Sequence, residues 1–162
     1  MMKHFAKRGI ARLWMVVLLA WLSMVTVSAV ASAVNIGDVY GGGIVFYVDG
    51  TGEHGLIANT SASGKTDWFE AVADTNYTKK YGLNGYHDWF VPNIEQLEQL
   101  YLNRNVVSDL SYYEIWSSTV TDYHQDYALS LDFRRGETNS QKLHNGWGSS
   151  GPRRYVWFVR AF

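Results

Sequence analysis

The chain of 162 residues contains no cysteine. That absence excludes disulfide staples, thiolate nucleophiles and cysteine-ligated zinc. It also excludes a lipid anchor attached through a cysteine. Proline is nearly absent too, at positions 92 and 152 alone. No long linker, repeat or low-complexity tract interrupts the chain after Ala33. Acidic residues are missing from the first 33 positions, which carry Lys3, Lys7, Arg8 and Arg12.

Those basic residues precede an apolar stretch, Leu13 to Val27, and then small residues ending in Ala31-Ser32-Ala33. Positive, apolar, then small is the order of a secretory signal peptide with an A-x-A cleavage site. The expectation is a cleaved signal over residues 1–33 and a domain over residues 34–162. The rival is an uncleaved anchor: Leu13 to Val30 gives 18 apolar or small residues, near the lower limit for a spanning helix. An exported domain of this length is large enough to rely on its own core. Aromatic side chains, including five of the seven Trp, are available to build it.

The formal charge of −1 hides an imbalance. Without residues 1–33, ten basic and 15 acidic residues remain, a net −5. Residues 34–133 hold four basic and 14 acidic residues, whereas residues 134–162 hold six basic residues and one acid, Glu137. Such asymmetry marks a candidate basic face. Export and the acidic balance together argue against nucleic acid as a partner.

Glycines at 41–43, 50, 52, 82, 85 and 146–151 punctuate short elements. Ile44–Val48 and Gly55–Ala58 read as a hairpin. Trp68–Ala73 is a short helix candidate, capped by Thr66 or Asp67. A stronger helix runs from Ile94 to Asn103: Asn93 caps it, Gln96 completes a capping box, and Ile94, Leu97, Leu100 and Tyr101 share a face. Ile115–Thr119 reads as a strand. Tyr127, Leu129, Leu131 and Phe133 alternate with smaller or polar residues, as in a half-buried strand. Tyr155–Val159 is a continuous apolar run, expected as one central strand. The class is α+β.

Several segments occur together: Ile36-Gly37-Asp38, Gly42 through Asp49, His54 through Ala58, Gly85-Tyr86-His87-Asp88-Trp89-Phe90-Val91-Pro92, Glu95 through Tyr101, Trp116-Ser117-Ser118-Thr119, and Val156 through Arg160. In this order and spacing the chain resembles the Lcl C-terminal domain family, named from the terminal domain of a bacterial collagen-like adhesin. The resemblance implies a C-type-lectin-like mixed domain, with two helices packed on short antiparallel strands. It implies an exported bacterial protein, and a fold shared with the formylglycine-generating enzyme. In the founding adhesin the domain is linked to sulfated glycosaminoglycans and to trimer formation. The present chain lacks that adhesin's Gly-X-Y repeat. It also lacks the cysteines that formylglycine generation requires.

Other motifs have plain structural readings. In Gly85–Pro92, Trp89 is expected in the core, with Asp88 bonding nearby backbone amides; the functional alternative gives His87 or Asp88 a site at the helix entrance. Trp116-Ser117-Ser118-Thr119 lacks the Gly-x-Ser-x-Gly elbow of a serine hydrolase. The histidines make no zinc spacing. Asp122, His124, Asp126 and Asp132 match no calcium-loop pattern, and the segment before Asn93 has Val91 where a lectin sugar motif has Glu. No metal, cofactor or catalytic residue is expected.

The remaining candidate is the basic, aromatic end of the chain: Arg134, Arg135, Lys142, Trp147, Arg153 and Arg154. Arg134 and Arg135 follow a predicted strand, and the others are expected in a long Gly/Ser-rich loop. Guanidinium forks match sulfate and carboxylate groups, and an indole stacks on a sugar face. The expected function is an exported, non-enzymatic binding domain for an acidic or sulfated glycan or surface polymer, in the periplasm, at the cell surface or outside the cell. The alternative is a structural module that contacts an envelope protein.

Overall fold

The computed structural model describes residues 33–108, 110, 113–121, 124–143 and 151–162. The expected signal segment up to Ser32, Asp122, His144 and Trp147 lie outside the described residues.

Four strands make the first sheet: β1 (Val39–Tyr40), β2 (Gly43–Val48), β3 (Gly55–Ala58) and β9 (Val159–Ala161), in the order β1-β2-β3-β9. The predicted hairpin is β2–β3, with Val45 opposite Ile57. Five strands make the second sheet: β4 (Ser63–Thr66), β5 (Glu114–Thr121), β6 (His124–Asp132), β7 (Glu137–Lys142) and β8 (Arg154–Val156), in the order β4-β8-β5-β6-β7. All described pairs are antiparallel except β5–β8.

Two sequence expectations change here. The run Tyr155–Val159 is not one strand. The chain leaves the second sheet after Val156, buries Trp157 and Phe158, and joins the first sheet at Val159. Continuous burial hid this crossing, because residues buried throughout carry no period. The segment around Lys142 is strand rather than loop. β7 is a polar edge strand, Glu-Thr-Asn-Ser-Gln-Lys, formed by pairing with β6 and not by any apolar alternation.

Helix α1 spans Trp68–Tyr81, eight residues beyond the end expected at Ala73. Asp67 caps it by accepting from the Glu70 amide at 3.0 Å. Its last turn carries Lys79 and Lys80, and it stops at Gly82, whose φ of +78° suits glycine. Only Ala71 and Thr78 are buried, which explains the weak sequence signal. Two side chains tie the helix down: Trp68 Nε1 donates to the Ser117 carbonyl at 2.8 Å, and Thr78 Oγ1 donates to the Trp89 carbonyl at 3.0 Å. Helix α2 spans Ile94–Leu102 and has the expected capping box: Gln96 N donates to Asn93 Oδ1 at 2.8 Å and Asn93 N donates to Gln96 Oε1 at 2.9 Å. Leu97 and Leu100 are its buried face.

The core has two clusters. α2 contributes Leu97 and Leu100 to one, with Phe46, Leu110, Ile115, Leu131, Phe133, Trp157 and Val159. α1 contributes Ala71 to the other, with Val45, Ile57, Trp89, Trp116, Val156 and Phe158. Successive residues of β2, Val45 and Phe46, enter different clusters, as the strand period requires. Four tryptophans act as cross-braces. Beside Trp68, the buried Trp89, Trp116 and Trp157 donate Nε1–H to the carbonyls of Leu83 (2.7 Å), Thr66 (3.0 Å) and Asn59 (2.8 Å). Each indole fills core volume and satisfies a backbone acceptor, distant in sequence for all but Trp89. In a domain without disulfides these contacts join segments up to 98 residues apart.

Candidate binding site

The site is built at one end of the second sheet. β6 ends at Asp132, and the chain turns through Arg134, Arg135 and Gly136 into β7. Gly136 has φ of +73°, and its amide donates to the Asp132 carbonyl at 2.7 Å. Arg134 folds back over this turn. Its amide donates to Asp132 Oδ1 at 2.8 Å, and its guanidinium donates through Nε at 3.3 Å and Nη2 at 3.1 Å. The Arg134 hydrogen bonds hold the Asp132 carboxyl below its ordinary range, against the opposing effect of burial. Arg135 lies 3.7 Å from Glu137, with both side chains well exposed.

Strand pairing brings the other arginines to the same end. Glu114 opens β5 and stands opposite Asp132. β8 runs parallel to β5, so Arg154 reaches Glu114. Glu114 is a hub. Its Oε1 accepts from Ser130 Oγ at 2.9 Å, Asn139 Nδ2 at 3.4 Å and Gln141 Nε2 at 3.5 Å, while Oε2 meets Arg154 Nε. Arg154 Nε is buried and its N–H is not aimed for a hydrogen bond, so this contact is a charge pair.

Arg153 is held differently. Its Nη2 and Nε donate to the Lys65 carbonyl at 2.7 and 3.3 Å. A carbonyl orients the guanidinium without neutralising it. Lys65 stands beside it on β4, with Nζ 5.1 Å from the Tyr155 ring centroid. Lys65 and Arg153 are both exposed, so the β4–β8 edge carries two cations. Sequence reasoning missed Lys65. It lies 88 positions from Arg153, in a strand of Ser, Gly, Lys and Thr with no apolar signal.

Arg134, Arg135, Arg153 and Arg154 therefore share one end of the sheet. One strand, β5, separates β8 from β6, two inter-strand spacings or about 10 Å. Lys142 is not with them: it closes β7, five residues from Glu137 and about 17 Å along the strand. The guanidinium N–H groups left unpaired suit sulfate or carboxylate oxygens. Asp132, Glu137 and Glu114 pair with Arg134, Arg135 and Arg154, whereas no ion pair among the described residues engages Arg153 or Lys65.

The other sequence candidates are engaged separately. Asp88 accepts a forked pair from Arg160, Nε to Oδ1 and Nη2 to Oδ2, both 2.7 Å. This replaces the expected bonding to backbone amides. The side chain that takes Asp88 is 72 residues away and invisible to local pattern. Arg160 also donates to the Gly41 carbonyl at 3.0 Å and lies 3.9 Å over the Tyr86 ring. Its hydrogen bonds hold the Asp88 carboxyl below the usual range. His87 Nδ1 lies 3.0 Å from the Lys79 carbonyl. Ser117 is buried, and its Oγ accepts from the Thr119 amide at 2.9 Å, while Thr119 Oγ1 accepts from the Ile94 amide at 3.0 Å. No hydrogen bond joins any two of His87, Asp88 and Ser117. Among the described residues no group of three or more His, Asp or Glu side chains is placed to hold a metal ion.

A model of the Lcl C-terminal domain matches residues 49–160. That span covers more than half of the chain, and the protein belongs to this family. No curated protein matches it. No helix among the described residues is long and apolar enough to cross a membrane.

Proposed function

We propose that this protein is an exported, non-catalytic binding domain of the bacterial envelope, which takes the anionic groups of a glycan or surface polymer at the arginine-bearing end of its second sheet. Family membership and the basic-apolar-small order of residues 1–33 support export. The carrying observation is the placement of Arg153: two of its donors are fixed on a neutral carbonyl, no ion pair among the described residues answers its charge, and Lys65 stands next to it. Arg134 and Arg135, on the other side of Glu114, extend the surface across the sheet.

Binding at this end is short-ranged. The net charge of −5 after residue 33 gives no long-range pull on polyanions, and the cations sit among carboxylates. The expected behaviour is retention on a heparin column at low salt and release as the Debye length falls below about 10 Å. A Lys65/Arg134/Arg135/Arg153→Ala variant should elute earlier. Failure of the parent to bind at low salt, or identical elution of the variant, would overturn the reading.

The second reading is a protein-interaction module. It draws on β1, where Val39 is 83% exposed beside exposed Ile36 and Tyr40. A mass that rises with concentration, and that Val39→Asp returns to the monomer value, would favour it.

A further inference from the structure

A cleft of about 390 Å³ is lined by residues of α1, the loop after β3, the start of β4 and the turn at Gly82. It is within the size range of small-molecule sites, about 300–1,000 Å³. Buried Thr78 and Phe158 form its floor. Ser61 and Ser63, and Asp74 and Tyr77 from α1, are among its other lining residues.

The floor is already satisfied: the Thr78 hydroxyl donates to the carbonyls of Thr75 and Trp89. The other lining groups are not. Among the described residues, no hydrogen bond or ion pair engages the Asp74 carboxylate, the Tyr77 hydroxyl, or the hydroxyls of Ser61 and Ser63. Asp74 is exposed on α1, and partial desolvation of its carboxyl at the cleft raises it above its ordinary value, with Glu70, one turn earlier, adding to the effect. A like-charged pair at this spacing is unfavourable in a helix. A cation in the cleft would relieve both penalties. Tyr77 adds an aromatic surface at the rim, 61% exposed and 4.6 Å from the Tyr81 ring. Lys80 already occupies Tyr81 at 4.9 Å, which leaves Tyr77 open to a ligand. In the same lining, the two serines offer hydroxyl partners.

We propose that this cleft binds an amino sugar, its protonated amine on Asp74, its ring against Tyr77 and its hydroxyls on Ser61 and Ser63. The carboxylate selects the ammonium, and the serines select a polyol over a simple amine. This site is separate from the arginine end and does not depend on anion binding there.

The test is titration of the purified protein with glucosamine, followed by NMR shifts and calorimetry, against three controls. N-acetylglucosamine keeps the ring and loses the charge. Glucose lacks the amine. Lysine methyl ester keeps an ammonium without a sugar ring. Glucosamine should bind at least tenfold more tightly than each, with shifts centred on Asp74, Tyr77 and Ser61. Asp74→Asn, an isosteric change on an exposed helix face, should weaken it at least tenfold, and Tyr77→Ala at least threefold, with thermal stability intact. Undetectable glucosamine binding, equal binding of N-acetylglucosamine, or indifference to Asp74→Asn would each overturn the proposal. Equal binding of the lysine ester would overturn the sugar assignment. Heparin retention is read on other residues, so either proposal can fail alone.

Discussion

Replacing Glu114 by Gln should pull stability and anion binding in opposite directions. The carboxylate accepts from Ser130, Asn139 and Gln141 through Oε1 and meets Arg154 through Oε2. Gln keeps the Oε1 acceptor but turns an amide donor towards the guanidinium. Losing the charge removes the Arg154 pair and weakens the hydrogen bonds that Oε1 accepts, together about 1.5–3 kcal/mol. About a quarter of each side chain is exposed, at 26% for Glu114 and 24% for Arg154, so solvent screening lowers this to about 1–2 kcal/mol. With an unfolding entropy of about 2.1 cal/mol/K per residue, the melting temperature should fall by about 4–7 °C. The same change frees the Arg154 charge at the end of the sheet that carries Arg153. Elution from heparin should therefore move to higher salt. Thermal denaturation by circular dichroism reads the first effect, and a salt gradient reads the second. A melting temperature within about 1 °C of the parent would refute the hub. A lower melting temperature with unchanged elution would remove Arg154 from the anion-contacting surface.

Other substitutions probe the supporting structure. Asp88→Asn should cost about 0.5–1.5 kcal/mol at neutral pH, modest because Asp88 is 55% exposed. The Asp88 pKa is depressed in the folded state, so its contribution is complete above the unfolded carboxyl value of about 3.9 and fades as pH falls through the lower folded value. The penalty of Asp88→Asn should accordingly shrink in acid, as denaturant midpoints between pH 7 and pH 2 would reveal. Asn93→Ala removes the cap of α2 and should cost about 1 kcal/mol by urea denaturation. Gly136→Ala places a Cβ 2.6 Å from the Tyr101 ring at a φ of +73°, and should cost about 1–3 kcal/mol by the same measurement.

The readable parts of the fold were those where one local signal suffices. Asn93 and Gln96 mark the start of α2 because both halves of the capping box lie within four residues. The β2–β3 hairpin and β6 follow from β-branched and alternating residues bounded by turns. What escaped depends on partners far along the chain. β4 and β7 are polar and become strands by pairing with β8 and β6. α1 is longer than its apolar pattern because Thr78 ties it to Trp89, a residue beyond the helix. The candidate site divides in the same way. The arginine-rich composition of the last 29 residues was visible, and so was their acidic context. That Glu114 sits between Arg154 and the Asp132–Arg134 pair depends on the register of three strands. Lys65 and Asp74 had no sequence cue at all, because each matters through a neighbour supplied by the tertiary fold.

The crossing after Val156 has a temporal consequence. β4 finds its described strand partner only in β8, and β3 gains its second neighbour only in β9. Trp157, emerging between them, is what the Asn59 carbonyl awaits. Neither sheet can close until the segment from Arg154 to Ala161 has been made. Until then the nascent polypeptide holds two unfinished sheets and an unfilled core, and it remains threadable. Under the exported reading proposed above, this arrangement would delay folding until passage across a membrane no longer conflicts with it.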